Sequence, residues 1–466
     1  MLPHLDPELF RAEAHRVADW IADYLRDLPR FPVQPDVRPG TVRRRIPDSA
    51  PMQGTSFDRI MADFQQIVFP GLTHWGHPGF YGYFPANTSP PSILAEMLVA
   101  GIGAQCMSWS TSPAATELEQ AMMEWLRQML GLPGQFTGVI QDTASTATLV
   151  ALITARDASA ARLGGSVDRL VVYASEEANV SVPKGARLAG FAHVRSIETD
   201  ANAALSVPAL ERAMAADRTA GLIPSAVVAT VGTTGSVAID PVDPIGAICR
   251  REHAWLHVDA AFAGVAAILP EMRWLMNGAE RADSIVVNPH KWLLVNFDCS
   301  AYFVKDPGAL QRSFGTSAEI LKGATDGEVV NFRDWGIQLG RRFRALKLWF
   351  VIRNYGVEGL QALLREHIRL GRLFAGWVDA DDSFERFGDA NLATVCFRKV
   401  RSTRSEPRDE ELNSLNRELL SRLNATGRVF LTGTMLKGRY LIRLALGHLS
   451  TTEAHLREAW ELIARG

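Results

Sequence analysis

The central part of the chain alternates short, continuously apolar runs with longer stretches in which apolar residues recur at helical spacing. The short runs predict buried strands at residues 138–141, 170–174, 226–231, 255–259, 284–288 and 301–304. The longer stretches predict helices between them, for example at residues 114–130 and 144–156. Apolar strands separated by helices indicate an α/β fold with a mainly parallel sheet that is covered on both faces. Ligands of such sheets bind at the carboxyl ends of the strands.

The N-terminal segment has the pattern of an amphipathic helix followed by a stiff connector. Asp6 and Pro7 predict an N-cap and a proline in the first helical turn, and apolar residues then recur at helical spacing up to Leu28. Residues 31–40 are rich in proline and predict a semi-rigid connector. Because the connector carries the helix away from its sequence neighbours, we expect its apolar face to pack on a partner subunit.

The C-terminal part mixes helix and strand patterns. A long helix is predicted to begin near residue 340, and a second is predicted over residues 357–372. Strands are predicted at residues 393–398 and 440–445. The sequence STTE at residues 450–453 predicts a capping box that opens the last helix.

These patterns predict three regions: an N-terminal helical segment (residues 1–89), a large domain (90–360) and a small α+β C-terminal domain (361–466). A chain of 466 residues is long enough for two or three domains with a large buried core. Hydrophobic residues make up 47% of the chain and charged residues 21%, which is the ordinary globular range.

Charge and cysteine usage exclude several classes of protein. The net charge is −2 without a long run of one sign, so a nucleic-acid partner is not expected. No apolar run reaches the roughly 18 residues that span a bilayer, and no signal-peptide pattern is visible, so we expect a cytoplasmic protein without a membrane partner. The cysteines form no CxxC pair, which argues against a metal site or a disulfide framework. They are Cys106, Cys249, Cys299 and Cys396.

Lys291 is the first candidate for chemistry, since it follows the predicted strand at residues 284–288. Lysine is seldom fully buried unless it is paired. Burial lowers the pKa of a lysine amine, so that the neutral form can make an imine with a carbonyl group. The alternative is a loop lysine that reaches solvent, which by itself is the commoner case. His290 beside it is a candidate catalytic group or an ordinary core histidine.

Asp259 and a group of small residues complete the candidate site. Asp259 ends the predicted strand at residues 255–259, where it could pair with a cationic ring nitrogen, and Ala261 is small enough to lie against a ring face. An aspartate that opens a turn is about equally consistent with the spacing. Small and hydroxyl residues follow two other strands and could bind phosphate through backbone N–H groups, although they are also ordinary helix caps. They are Thr143, Ala144, Ser145 and Thr234.

Four stretches of the chain resemble a known family. They are HPGFYGYFP (77–85), WSTSPAATELE (109–119), NPHKWLLVNFDCS (288–300) and LGRRF (339–343). On these residues the chain resembles the group II pyridoxal-phosphate decarboxylases, and most of all the aromatic L-amino-acid decarboxylase family. The resemblance covers nearly the whole chain. It implies a fold-type I architecture like that of aspartate aminotransferase, pyridoxal 5'-phosphate as cofactor, an aromatic amino acid as substrate and a homodimer with the active site at the subunit interface.

The resemblance also implies a role for each matching residue. Lys291 would hold the cofactor as a Schiff base, and Asp259 would pair with its ring nitrogen. Ala144, Ser145 and Asn288 would bind the phosphate, with Thr234 near the ring.

The resemblance further implies an aromatic substrate pocket. Without the resemblance, ordinary core packing would be the better interpretation of its residues. Gln105 and Met107 fall at pocket positions that vary within the family, and Gly340 lies where some relatives have serine, so that glycine leaves more room for an indole. The remaining pocket positions are Trp75, Tyr83, Phe84, Pro85 and Phe297.

Two departures from the family bear on the product. Where the family usually has a histidine stacked on the cofactor, this chain has Asn179. Where the family's active-site loop usually has a tyrosine that protonates the substrate carbon after CO2 leaves, we align Phe332. Losing a positioned general acid typically slows such a step by ~10²–10⁴-fold. The longer-lived intermediate can then react with O2, which leads to aldehyde, ammonia and hydrogen peroxide.

The leading hypothesis is therefore oxidative decarboxylation and deamination with O2 as co-substrate, as in the aromatic aldehyde synthases that resemble this family. The second is a conventional decarboxylase that releases the amine, with Phe332 as a hydrophobic anchor and another group donating the proton. A cofactor-binding pseudoenzyme is disfavoured by the intact Lys291 and Asp259. An aminotransferase normally has an arginine for the α-carboxylate, and the sequence pattern assigns none. On the leading hypothesis, Phe332→Tyr is expected to shift the product towards amine.

Overall fold

Two β-sheets and the helices around them make up the described part of the structure, a computed structural model that covers residues 6–165, 167–316, 327–389, 392–400 and 408–466. The helices are α1 (Pro7–Asp27), α2 (Phe57–Asp63), α3 (Pro90–Ile102), α4 (Pro113–Leu130), α5 (Ala144–Arg162), α6 (Ser181–Leu188), α7 (Val207–Thr219), α8 (Val242–Glu252), α9 (Pro289–Trp292), α10 (Pro307–Phe314), α11 (Arg344–Asp379), α12 (Asp409–Ala425) and α13 (Glu453–Arg465). The strands are β1 (Thr137–Gln141), β2 (Leu170–Ser175), β3 (His193–Ile197), β4 (Ile223–Thr230), β5 (Trp255–Asp259), β6 (Ser284–Val287), β7 (Ser300–Val304), β8 (Phe384–Phe387), β9 (Thr394–Lys399), β10 (Thr432–Leu436) and β11 (Arg439–Ala445).

The larger sheet has the strand order β1-β7-β6-β5-β4-β2-β3. Strands β2 to β6 run parallel to one another, and β7 runs antiparallel between β1 and β6. Every residue of β2 and β6 is buried, as expected for strands whose two faces are both covered by helices. The predicted α/β fold with a mainly parallel sheet is therefore confirmed.

Strand β3 was not predicted from the sequence, and its place in the sheet explains why. It forms one edge of the sheet and pairs only with β2 among the described strands. Its central residues are half-buried or exposed, and Arg195 forms an ion pair with Asp217 at 2.7 Å. A strand with one exposed edge needs no continuous apolar run, so the pattern that reveals central strands does not reveal it.

The smaller sheet is antiparallel, with the strand order β10-β11-β9-β8. The sequence predicts its two central strands, β9 and β11. The edge strands β8 and β10 escaped prediction because they are short and only partly buried. Helices α11, α12 and α13 accompany this sheet and form the α+β part of the fold.

The range of α11 contains two helices that meet at a kink, as the sequence predicts. The kink lies at Gly356, which has φ 65° and ψ 171°, a conformation that glycine adopts without steric cost. The predicted helix over residues 357–372 begins directly after it. The predicted domain boundary after residue 360 falls inside the second of these helices, and the division into three regions stays a prediction. Helix α13 is capped by Thr452 and His455 rather than by the predicted box at residues 450–453.

Helix α1 begins as predicted, with the Asp6 side chain accepting a hydrogen bond of 2.9 Å from the Glu8 backbone N–H. None of its residues is buried. Its Trp20 packs against Phe64, with ring centroids 5.2 Å apart, while Phe10 remains 56% exposed. The described residues therefore leave apolar side chains near the start of the helix uncovered.

The described residues supply no membrane helix and no metal cluster. None of the described helices combines the length and the apolar character that crossing a membrane requires. Across the same residues, no group of three or more His, Cys, Asp or Glu side chains is arranged to hold a metal ion. The cysteines at positions 106, 249, 299 and 396 are all buried and free.

Candidate active site

A cavity of about 160 Å³ lies at the carboxyl ends of strands β4 and β5, where helix α5 begins. The predicted cofactor residues come together in its wall from distant parts of the sequence. They are Thr143, Ala144, Ser145, Asn179, Thr234, Asp259, Ala261, Asn288, His290 and Lys291. Phe84 and Phe297 of the predicted substrate pocket line the same cavity. A parallel sheet places these strand ends at one edge, which is why side chains far apart in sequence meet here.

Lys291 reaches the cavity from the short helix α9, which follows β6. Asn288 is the N-cap of this helix, and its carbonyl accepts a hydrogen bond of 3.0 Å from the Lys291 backbone N–H. The Lys291 ammonium nitrogen lies 5.1 Å from the centre of the Phe84 ring. Burial lowers the pKa of the Lys291 amine; Asp259 opposes this shift and Arg443 adds to it. A lowered pKa favours the neutral amine that imine formation requires.

Asp259 ends β5 and is 5% exposed. One of its carboxylate oxygens accepts a hydrogen bond of 3.1 Å from the Ala261 backbone N–H. Burial raises the pKa of the Asp259 carboxyl, and the Lys291 charge opposes the rise. A buried carboxylate is costly unless a cation pairs with it, and a protonated ring nitrogen would be such a cation.

The N-terminus of helix α5 offers a seat for an anion. Thr143 is its N-cap, and the Thr143 hydroxyl accepts a hydrogen bond of 3.4 Å from the Thr146 backbone N–H. The N–H groups of Ala144 and Ser145 lie in the first turn, where a helix has no carbonyl partners for them. The helix dipole favours a negative charge in front of these groups.

Two buried polar atoms in the cavity wall indicate that the cavity binds a polar ligand. Asn288 Oδ1 and Thr230 Oγ1 have no hydrogen-bond partner within the described part of the chain. Buried polar atoms without partners are rare in folded proteins, and a polar ligand would satisfy them. A phosphate seat, a carboxylate for a ring nitrogen and an amine for an aldehyde carbon together fit pyridoxal phosphate.

Asn179 lines the cavity from the turn between β2 and α6. Its amide nitrogen donates to the Thr234 hydroxyl at 3.1 Å, and its amide oxygen accepts from the Ser181 backbone N–H at 2.9 Å. These two bonds fix the plane of the amide. An amide neither takes up nor releases a proton near neutral pH, unlike the imidazole that the family usually has here.

His290 is held as a neutral ring. Its Nδ1 accepts a hydrogen bond of 2.9 Å from the Cys299 backbone N–H, and its Nε2 lies 3.3 Å from the Asn288 amide nitrogen. Burial and, to a smaller extent, the Lys291 charge lower the pKa of His290 to about 3. The imidazolium form is therefore absent near neutral pH.

Phe332 is not in the wall of this cavity within a single chain, and its predicted role in the active site stays a prediction. Its side chain is 2% exposed and belongs to an apolar cluster with Val139 and Trp335. The Trp335 ring centroid lies 5.5 Å away, and the Arg341 guanidinium lies 4.8 Å from the Phe332 ring. A phenyl ring gains more from this burial than from an exposed loop position. Within a single chain Phe332 therefore has apolar surroundings, and both interpretations of this residue stay predictions.

The remaining residues of the predicted substrate pocket lie outside the cavity wall. Trp75 and Tyr83 stack on each other at 5.5 Å and are 38% and 51% exposed. Gln105 accepts a hydrogen bond of 2.6 Å from the Arg341 backbone N–H, next to Gly340. A Cβ on Gly340 would lie 3.3 Å from the Gln105 amide.

Met107 and Pro85, two further positions of the predicted substrate pocket, make contacts away from the cavity. The Met107 carbonyl accepts a hydrogen bond of 2.9 Å from the Arg333 backbone N–H. Pro85 packs closely against Gly447. Only Phe84 and Phe297 of the predicted set therefore line the cavity of a single chain.

Arg443 is a residue that the sequence reasoning missed. It lies on β11 of the small sheet, is 3% exposed, and its guanidinium lies 4.8 Å from the Phe84 ring. It donates to the Gly235 carbonyl at 3.0 Å and to the Tyr83 carbonyl at 2.7 Å. Its Nη2 has no partner among the described residues. Arg443 thus fixes the backbone that carries Phe84, and its charge helps to lower the pKa of Lys291.

The parallel sheet, the phosphate seat and the half-buried lysine near a buried aspartate define a pyridoxal-phosphate-dependent enzyme. The model of the pyridoxal-dependent decarboxylase conserved domain matches residues 39–400. The chain therefore belongs to the group II pyridoxal-phosphate decarboxylases, within the aromatic L-amino-acid decarboxylase family, and is a carboxy-lyase.

Three relatives illustrate the range of the family. Tryptophan decarboxylase 2 of Oryza sativa subsp. japonica is 43% identical over 98% of this chain and 94% of its own length. Phenylacetaldehyde synthase of Arabidopsis thaliana is 42% identical over 99% of this chain and 96% of its own. The crystal structure of Oryza sativa TDC with PLP and tryptamine superposes with a TM-score of 0.97 at 40% identity, covering 100% of this chain and 99% of that chain. The names of the relatives thus include both an amine-forming and an aldehyde-forming type.

Proposed function

We propose that this enzyme converts an aromatic L-amino acid into the corresponding aromatic acetaldehyde. The carboxylate leaves as CO2, the amino nitrogen leaves as ammonia, and O2 is reduced to hydrogen peroxide by the two electrons that the substrate loses. Water supplies the oxygen atom of the aldehyde, so the atoms balance with O2 and water as co-reactants. The observation that carries the aldehyde outcome is Asn179 in the cavity wall, where the family usually has a proton-handling histidine.

Each residue of the cavity has a separate role in the proposed reaction. When bound, pyridoxal phosphate supplies an electron sink for the pair released as the bond to the carboxylate breaks. In our proposal, Lys291 holds the aldehyde carbon of the cofactor, Asp259 keeps its ring nitrogen protonated, and the N-terminus of α5 binds its phosphate. Phe84 and Phe297 give the cavity apolar walls that suit an aromatic side chain and exclude water.

The shortage of proton donors supports the oxidative outcome. The chain has no tyrosine between Tyr302 and Tyr355, so no residue of this stretch can supply the phenolic hydroxyl that the family usually has in its loop. Phe332 stands at the aligned loop position and has no hydroxyl group. Asn179 and the neutral His290 add no donor to the cavity wall. Slow protonation gives O2 time to react.

A conventional decarboxylase that releases the amine is the second candidate. Its support is the Lys291 amine, which lies in the cavity and can carry a proton once it is released from the cofactor. The relative named tryptophan decarboxylase 2 is also slightly more similar to this chain than the one named phenylacetaldehyde synthase. The substrate proposal stays at the level of an aromatic amino acid, because both candidates share it.

We also propose that the enzyme is a homodimer whose partner chain completes the pocket. Trp75, Tyr83 and Phe297 are large aromatic residues left 38%, 51% and 60% exposed by a single chain. Helix α1 has no buried residue, although its sequence has an apolar face. Burying such faces against a second copy would cover them and would bring more apolar side chains to the cavity.

The first test is a complete product balance. The holoenzyme is supplied with L-Phe, L-Tyr, L-Trp and L-DOPA, and CO2, amine, aldehyde, hydrogen peroxide and O2 uptake are measured together. We expect aldehyde and O2 uptake in equal amounts with CO2. Amine formation without O2 uptake would overturn the oxidative proposal and establish the second candidate. Turnover that requires an added keto acid would indicate an aminotransferase, and absence of turnover would indicate a pseudoenzyme.

The second test compares Asn179→His with Phe332→Tyr. Asn179→His is expected to raise the fraction of amine, because an imidazole in the cavity wall can relay a proton to the substrate carbon. Phe332→Tyr places a phenolic hydroxyl at the aligned loop position, so it too is expected to raise the fraction of amine. A ratio that moves with Phe332→Tyr but not with Asn179→His would remove Asn179 from the mechanism, and a ratio that moves with neither would remove both positions.

A further inference from the structure

A second cleft, of about 390 Å³, lies at the edge of the large sheet opposite the active-site cavity. Its wall is formed by the C-terminal part of α5, the end of α8, the start of β5 and the residue after β7. Helix α5 begins at the active-site cavity and ends here, so the two sites are separated by the length of this helix. We name it the distal cleft and define it by Arg162, Arg250, His253, Trp255, Arg281 and Lys305.

Cations outnumber anions in the wall of the distal cleft. Asp283 is the one carboxylate in its described lining, and it accepts a hydrogen bond of 2.7 Å from the Leu256 backbone N–H. The charge of Arg281 is balanced by an ion pair with Asp243, which is not among the residues that line the cleft. The C-termini of α5 and α8 together contribute roughly one negative charge, which does not remove the excess of cations.

Two of these arginines lack an acidic partner. In the part of the chain that the structure describes, Arg162 donates to the Ser159 hydroxyl at 3.3 Å, and neither Arg162 nor Arg250 lies within ion-pair distance of a carboxylate. The neighbouring Arg251, by contrast, pairs with Glu211 at 3.0 Å and with Glu252 at 3.1 Å. A guanidinium without a carboxylate is free to bind a carboxylate or phosphate through two parallel hydrogen bonds.

Lys305 is a third cation in the cleft, and both its burial and a neighbouring positive charge disfavour its protonated form. Its ammonium group donates to the Glu280 carbonyl at 2.6 Å, which holds it in place. Burial lowers the pKa of the Lys305 amine, and Arg250 lowers it further, while Asp283 opposes the shift. The positive charges of Lys305 and Arg250 therefore repel each other, and an anion between them would relieve that repulsion.

The lining of the distal cleft also contains apolar side chains. They are Ala155, Ala158 and Ala254 together with the Trp255 indole. The indole N–H donates to the Ser284 hydroxyl at 2.9 Å, so the orientation of the ring is fixed. The cleft is larger than a bare oxyanion needs, and the part of the indole that lines it is apolar.

We propose that the distal cleft binds a small organic anion, whose carboxylate or phosphate group contacts Arg162, Arg250 and Lys305 and whose flat apolar body lies against Trp255. Carboxylates and phosphates share the oxygen geometry that two guanidinium groups recognise. The site is independent of the decarboxylation proposed above, because none of its residues lines the active-site cavity.

The test is calorimetric titration of the holoenzyme with phenylacetate, phenyl phosphate and inorganic phosphate. The variant Arg162→Gln/Arg250→Gln removes the two unpaired guanidinium groups. The control Arg187→Gln/Arg212→Gln makes the same change of charge at two exposed arginines outside the cleft. We expect at least one aromatic anion to bind the wild type and the control alike, and to bind the cleft variant roughly tenfold or more weakly. The tighter of the two anions identifies the preferred head group.

Four outcomes would overturn this proposal. Absence of binding by both aromatic anions would show that the cleft is not a site. Equal weakening in the control would indicate a general effect of net charge. Inorganic phosphate that binds as tightly as phenyl phosphate would indicate an adventitious ion only. Binding that persists in the cleft variant and competes with the amino-acid substrate would place the anion in the active-site cavity.

Discussion

Lys291→Ala is expected to lower the turnover number by on the order of 10³- to 10⁶-fold, whichever product the enzyme makes. The amine that would hold the cofactor is lost, and so is a base that could act on the substrate. Lys291 lies 5.1 Å from the Phe84 ring in the cavity, and burial keeps its pKa low enough for an imine to form. The visible absorbance of a protein-bound imine should also disappear, since alanine cannot make that bond.

Lys399→Ala is the matched control for this experiment. The Lys399 ammonium nitrogen lies 5.9 Å from the Phe384 ring, a similar lysine–phenyl arrangement in the small sheet and outside the cavity. We expect this variant to keep both the absorbance and the turnover of the wild type. Near-normal activity in Lys291→Ala, measured with folded protein of known cofactor content, would remove Lys291 from the mechanism.

Asp259→Asn is expected to lower the turnover number by on the order of 10²- to 10³-fold and to weaken cofactor binding. An amide cannot hold a proton on the cofactor's ring nitrogen by charge, so the ring becomes a poorer electron sink. The substitution preserves the shape of the side chain and leaves an oxygen that can accept the Ala261 hydrogen bond. The loss should therefore appear in catalysis and cofactor affinity rather than in the folded fraction.

Asp283→Asn provides the corresponding control at the other edge of the sheet. Asp283 also accepts a backbone hydrogen bond, from Leu256 at 2.7 Å, and burial raises the pKa of its carboxyl as it does for Asp259. Its replacement tests the structural cost of the same change away from the active site. If both variants lose activity equally, the effect of Asp259→Asn is structural and its pairing with the ring nitrogen is not supported.

Much of the candidate active site could be predicted from the sequence because its residues lie at the ends of strands. Asp259 closes β5 and Asn288 follows β6, and both strands are continuous apolar runs. Once such strands are known to be parallel, their carboxyl ends must lie at the same edge. The residues that the strands carry are then neighbours, whatever their separation in sequence.

Prediction was weaker wherever burial depended on distant parts of the chain. The edge strand β3 has a half-exposed pattern that resembles a loop, and only its pairing with β2 defines it. The stretch around Phe332 suggests either a loop anchor or an active-site residue. Its place in an apolar cluster with Val139 and Trp335 depends on packing, and no local pattern contains it.

The sequence by itself determined the fold class, the lysine and the acid of the site, and the absence of tyrosine from residues 303–354. These depend on local periodicity and on residue types within short motifs, which the chain carries before it folds. Only the tertiary structure revealed Arg443 behind Phe84 and the distal cleft with its unpaired Arg162 and Arg250. Both arise where elements distant in sequence pack together. Burial, unpaired charge and shifts in pKa are properties of that packing, so they cannot be read from local patterns along the chain.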